Sequence, residues 1–209
     1  MPDLATLALF CAFTLGLLVV PGPAVLYIVT RSVAQGRGAG LISVLGVHAG
    51  SVVHVAAAAL GLSALLAASA TAYAVVKWGG IAYLVWLGVR NLVRRGGGGE
   101  EVVEPPAQSK RRLFWEGAVV NVLNPKTAIF FLAFLPPFTD PAAGPVGPQI
   151  LLFGLLWIVL GMASDGTYAM LASALGGRLR ASRRARRRLE VGSGVVYLGL
   201  AAWLTAGKA

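Results

Sequence analysis

The stretch Asn121-Val122-Leu123-Asn124-Pro125-Lys126 constrains this chain more than any other. From Leu113 to Pro136 its surroundings are largely Leu, Val, Ala, Ile and Phe, enough for the roughly 20 residues that a hydrocarbon span needs. Lys126 falls near the middle of that run. A cation at such depth costs roughly 2.5 to 3.5 kcal/mol on insertion scales and marks function by default. The proline beside it frees backbone groups that lipid cannot satisfy, so the break has to face protein or a water-filled cavity.

Of the 209 residues, 57% are apolar and 12% charged, which places the chain in the membrane class. The net charge of +10 sits in basic clusters between apolar runs, the pattern of a polytopic membrane protein and not of a nucleic-acid binder. A single Cys11 excludes an internal disulfide framework and a thiol metal site, so neither metal nor other cofactor is expected. No H-E-x-x-H or G-x-S-x-G pattern occurs, and no catalytic residues are assigned. The first apolar run lacks a basic leader region and is too long for a signal sequence, so it reads as a retained helix.

Six apolar runs follow one another: Leu4 to Thr30, Ala39 to Leu66, Thr71 to Asn91, Leu113 to Pro136, Pro148 to Gly176 and Val191 to Ala206. Cations follow runs one, three and five, including the Arg-rich stretch from Arg178 to Arg188. The positive-inside rule makes those connections cytoplasmic and puts both termini outside. The Gly- and Glu-rich segment 96–112 reads as a cytoplasmic linker between residues 1–95 and 113–209, each with three spans. Three is odd, so the halves cross in opposite senses. The expected fold is an all-α membrane protein of six transmembrane helices, built as two inverted three-helix repeats with broken first helices.

Pro21-Gly22-Pro23 interrupts the first span of the first half as Asn124-Pro125-Lys126 interrupts the first span of the second. Paired Pro/Gly interruptions of this kind point to a transporter's binding site, although by residue count the first break lies nearer the cytoplasmic end. Gly46 and Gly50 form a G-x-x-x-G face for close helix approach, and His54 lies one turn beyond. His54 is a candidate proton relay, with a neutral imidazole bonded to neighbouring backbone as the plainer reading; His48 receives no role. Lys77 reads as an interfacial anchor. Asp165 is the one acid well inside a span, at a depth similar to that of Lys126, so the two opposite charges can neutralise each other.

These motifs, in order and at compatible spacing, resemble the LysE/RhtB family of bacterial amino-acid exporters along nearly the whole chain. They are Pro21-Gly22-Pro23; Gly36 with Arg37 and Gly40; Gly46, Gly50 and His54; Lys77, Gly79 or Gly80, Tyr83-Leu84 and Gly88; Gly117 with Asn121; Leu123-Asn124-Pro125-Lys126; Leu135-Pro136; and Ser193-Gly194 with Gly199. The resemblance implies a six-span exporter of amino acids or close derivatives in the bacterial inner membrane, driven by the proton gradient, with a homodimer as a further expectation. Ser51 stands where many relatives carry an acidic or amide residue, which leaves the substrate's charge open.

The leading expectation is therefore efflux of a small zwitterion by proton antiport and alternating access, the partners being amino acid, protons and membrane lipid. Pro21, Gly22, Pro23, Gly46, Gly50, Asn121, Asn124, Pro125, Lys126 and Asp165 are the candidate binding or coupling residues. The carboxylate is expected near Gly22, Asn121, Asn124 and Lys126, and the ammonium or the exchanged proton at Asp165. A metal or small-ion exporter is the second reading, weakened by the shortage of ligands. A scaffold that transports nothing is the third, and it leaves the paired breaks and buried charges without a purpose.

Overall fold

The computed structural model of the protein describes residues 2–68, 70–93 and 106–181, together with 191, 195, 198, 199, 201, 202 and 205. Most of the expected linker, the Arg-rich run beyond 181, the side chain of Lys77 and much of the last apolar run lie outside the described residues. Every regular element among the described residues is helical: α1 (Leu4–Leu18), α2 (Pro23–Ala68), α3 (Ala70–Val93), α4 (Lys110–Val122), α5 (Pro125–Ile129) and α6 (Val146–Ala181). A π-helical turn, Phe130–Phe134, and two 3-10 turns, Pro136–Phe138 and Pro141–Ala143, connect α5 to α6.

Two helices, Pro23–Gly61 and Val146–Ala174, are long and apolar enough to cross a membrane, and Lys110–Val122 with Pro125–Phe138 makes a third if that pair, bent by 49°, counts as one span. The six expected runs are thus not six uninterrupted helices. Their proline breaks divide the first and fourth runs into pieces shorter than a bilayer needs.

The chemistry of each break explains where the helices stop. Asp3 caps the start of α1, its Oδ1 accepting the Thr6 amide at 2.7 Å, and that bond holds its carboxyl below the usual range. The last ladder bonds of α1 reach Val19 and Val20; Pro21 has no N–H to continue them, and Pro23 starts α2, a first-turn position where the missing donor costs nothing. At the other break, the Asn124 side chain caps α5 by accepting the Lys126 amide at 3.1 Å, again with proline at the first turn.

Gly36, at φ 81° and ψ −179°, kinks α2 into an arm, 23–35, and a long helix, 37–68. Only glycine adopts that conformation freely. The first broken run therefore extends to Gly36 instead of ending at Thr30, and its break lies near the middle of 4–35. α4 starts at Lys110, capped by Ser109.

The long helix α2 packs on both α6 and α4. Along one seam, α2 and α4 meet backbone to backbone: a Cβ on Gly46 would overlap the Phe114 carbonyl, one on Gly50 would come within 2.6 Å of Ala118 O, and one on Gly117 within 2.9 Å of Ser43 O. Elsewhere, Phe10, Phe130, Phe131, Phe134, Phe138, Phe153 and Trp157 form a buried aromatic cluster. The π turn matters here, since its wider i→i+5 spacing (Leu135 N to Phe130 O, 3.0 Å) turns Phe130, Phe131 and Phe134 inward together. Gln149 fastens the loop above it, donating to Asp140 O at 2.7 Å and Gly144 O at 2.9 Å.

Candidate functional site

The two breaks meet. Lys126 Nζ donates to Leu17 O at 2.8 Å and to Val20 O at 2.6 Å, two carbonyls at the end of α1. Tyr168 of α6 donates its hydroxyl to Val19 O between them at 2.7 Å. A cation and a phenol thus satisfy the carbonyls that the first break frees, as basic groups do at helix C-termini. Gly22 makes room for this, because a Cβ there would press on Lys126 Cδ at 3.1 Å.

Around this junction lies one small cavity, lined by Gly22, Ala24 and Val25 of the first break, by Asn121, Asn124, Lys126 and Thr127 of the second, by Val47, His48 and Ser51 of α2 and by Leu18, Trp157 and Asp165. Of the expected binding residues, Gly22, Asn121, Asn124, Lys126 and Asp165 come together here. Pro21, Pro23 and Pro125 shape the breaks that bound it. Gly46 and Gly50 lie on the seam with α4 instead, where their role is close packing, although Gly50 also touches Asn121 Cβ.

Lys126 and Asp165, whose similar depth left a pairing of their charges open, line the same cavity, and Asp165 has a second neighbour. Asp165 Oδ2 lies 3.1 Å from His48 Nε2, both side chains being about 5% exposed. The two opposite charges have different hydrogen-bond partners, Lys126 the broken backbone and Asp165 an imidazole. Room for that imidazole comes from Gly161, one turn before Asp165, where a Cβ would overlap the ring. His48 Nδ1 and Asp165 Oδ1 are buried with no hydrogen-bond partner among the described residues, so this pair holds unused donor and acceptor capacity beside the cavity.

His54 takes the plainer of its two readings. Its Nε2 donates to Asn121 O at 2.9 Å, and its ring stacks on Phe131, which anchors the end of α4. Asn121 in turn donates to Val47 O and Ser51 Oγ, each at 2.9 Å, and accepts from Thr127 Oγ1 at 3.0 Å. Sequence reading missed His48, Thr127 and Tyr168. Gly161 and Asp165, spaced by four on α6, were a legible sign that something bulky fits between turns; nothing in the sequence said that it was His48.

The cavity encloses about 30 Å³, room for roughly two water molecules. Two differently built regions lie on either side of it. Toward the aromatic end stands the cluster built on Phe10, Phe153 and Trp157. Toward the opposite, basic end, Arg31 pairs with Glu116 at 3.1 Å and Glu116 with Arg112 at 2.7 Å.

Among known proteins, the family described as "LysE type translocator" matches residues 15–207. The chain is 29% identical over 188 residues to the homoserine/homoserine lactone efflux protein of Salmonella typhimurium, covering 90% of each. It is 24% identical to the leucine efflux protein of Klebsiella pneumoniae, over 90% of this chain and 89% of that one, and 32% identical to the threonine efflux protein of Escherichia coli over 54% and 57%. No solved structure matches.

Proposed function

The chain belongs to the LysE type translocator family, a transporter family and not an enzyme family, and from that premise we propose that it exports a small amino acid or a close derivative across the bacterial inner membrane. It is a multi-pass membrane protein, and the efflux names of its relatives support the cargo class. The observation that carries the reading is the junction of the two breaks, which sets Lys126 and Asp165 on one cavity. Opposite charges on one small site complement a zwitterion.

In this reading the substrate carboxylate faces Lys126 and the first-turn amides of α2 at Ala24 and Val25, since the first amides of a helix lack intrahelical partners and favour anions. The ammonium group takes Asp165 Oδ1. His48, hydrogen-bonded to the other carboxylate oxygen, is suited to carry the exchanged proton, because imidazole is the side chain that exchanges protons near neutrality. A proton on the pair and an ammonium group on Asp165 oppose each other, which is the competition that antiport requires.

The inverted arrangement of two three-helix halves, with basic connections in the cytoplasm and both termini outside, is part of the same proposal. Each half then opens with a span broken near its middle, 4–18 with 23–35 and 110–122 with 125–138. A space for two waters cannot hold the carboxylate, α-carbon and ammonium of an amino acid, so the halves have to part for loading and release.

The test is efflux of a panel of amino acids from inside-loaded vesicles under an imposed pH gradient. Gradient-driven efflux of at least one amino acid is expected. Asp165→Asn should abolish it while leaving the protein folded and in the membrane. Gradient-driven efflux by Asp165→Asn at the normal rate would remove the acid from the mechanism.

A further inference from the structure

Three facts single out the arm 23–35. It lies between two interruptions of the helix, the Pro21-Gly22-Pro23 break and the Gly36 kink. Its first turn, at Ala24 and Val25, is wall of the cavity. Its later turns present Tyr27, Arg31 and Gln35, spaced by four and so on one face; the first two bond to α4 and the third to the segment leading into it: Tyr27 Oη donates to Leu113 O at 2.8 Å, Arg31 Nη2 to Glu116 Oε2 at 3.1 Å, and Gln35 Nε2 to Gln108 O at 3.1 Å.

We propose that this arm is the gate between the cavity and the basic end, hinged at Gly22 and Gly36 and latched to α4 and the segment leading into it by Tyr27, Arg31 and Gln35. The inference rests on the export reading and on the basic end facing the cytoplasm. It adds the moving part and the residues that hold it.

The physical case is that this seam can be exchanged for water at small cost. Each of its bonds joins a polar side chain to a polar partner, and water offers the same partners when they separate. Glu116 keeps company after release, since Arg112 Nε and Gln108 Nε2 bond it at 2.7 Å and 2.9 Å from the same side of the seam. The arm buries Ala24, Val25 and Ile28, with Ala24 and Ile28 packed in a cluster with Val44, Val47 and Ala169, a smaller apolar contact than the aromatic cluster at the other end. Gly36 at φ 81° supplies a joint whose torsions have no side chain to restrict them.

The latch also reaches the chain that connects the halves. Gln108 precedes Ser109, the cap of α4, and its carbonyl receives Gln35. Pulling the arm away therefore loosens the start of α4 along with the gate itself.

The experiment uses the full chain in inside-out vesicles, with Cys11→Ser and a single reporter, Ser51→Cys, facing the cavity. A membrane-impermeant maleimide added at the cytoplasmic face should label the reporter about tenfold faster when Arg31→Gln is added, the shift expected from loss of one charge-assisted hydrogen bond. An unchanged labelling rate would overturn the proposal. This readout needs no transported substrate, so it separates failure of the gate from failure of the export reading.

A second measurement closes the gate after folding. Arg31→Cys with Glu116→Cys, in the Cys11→Ser background without the reporter, is joined by a short cleavable thiol cross-linker. Efflux should stop on cross-linking and return on cleavage. A cross-linked protein that exports at the uncross-linked rate would show that the arm does not move.

Discussion

The bundle is held at its basic end by hydrogen bonds and at its aromatic end by rings, and these two kinds of contact differ in what water does to them. Arg31, Glu116, Arg112, Tyr27 and Gln35 hold the basic end through polar groups that water can also satisfy. At the aromatic end Phe10 is fully buried and lies 4.6 Å from Phe153 and 5.3 Å from Phe138, centroid to centroid, while Phe130 stacks on Trp157 at 3.9 Å. Separating those rings leaves apolar surface exposed, with nothing to replace the lost contacts. One end is therefore built to be undone locally, while the other must move as a block or slide with its rings still packed.

The largest effect that would test this contrast is expected from Phe10→Ala. It should destabilise the protein by about 3–5 kcal/mol, the range for losing a fully buried ring, and lower the midpoint of thermal unfolding in detergent. A small change would mean that the aromatic end is as loosely held as the basic one.

Between the ends, Lys126→Met removes two bonds that join the breaks, leaving Val20 O without its Lys126 donor while Leu17 O keeps the Val20 amide. A loss of about 1–3 kcal/mol is expected from a buried group left unsatisfied, together with loss of efflux. Unchanged unfolding and unchanged efflux would show that the junction neither holds the halves nor binds cargo.

The smallest effect is expected at the basic end, where Arg112 is mostly exposed and bonds Glu116 one turn away. Arg112→Gln should cost about 0.2–0.5 kcal/mol, the range for such helix-surface pairs, and its effect should shrink further in high salt. A loss comparable to that of Phe10→Ala would reverse the comparison.

Much of the fold was legible because it follows from local chemistry. Pro21, Pro23 and Pro125 cannot donate, so the breaks could be placed from sequence; Gly46 and Gly50 announced a close helix approach, and the structure puts α4 on that face. The same glycine stripe read onward leads to His54, which bonds the Asn121 carbonyl, and passes over His48. His54 lies on the packing face toward α4, whereas His48 lies on the face toward α6, where Gly161 and Asp165 receive it. Depth alone left a pairing of Lys126 with Asp165 open, because depth fixes only one coordinate. Position around the bundle axis, which decides partners, depends on how the helices pack.

The sequence by itself determined the membrane class, the two breaks, the buried charges and the family, because hydropathy, proline chemistry and motif order are properties of the chain taken locally. Only the tertiary structure decided that Lys126 caps the broken end of α1, that His48 is the partner of Asp165, and that Gly36 turns 23–35 into a separate arm. Those facts depend on which faces of distant helices meet, and on a backbone torsion at Gly36 that glycine permits but does not require.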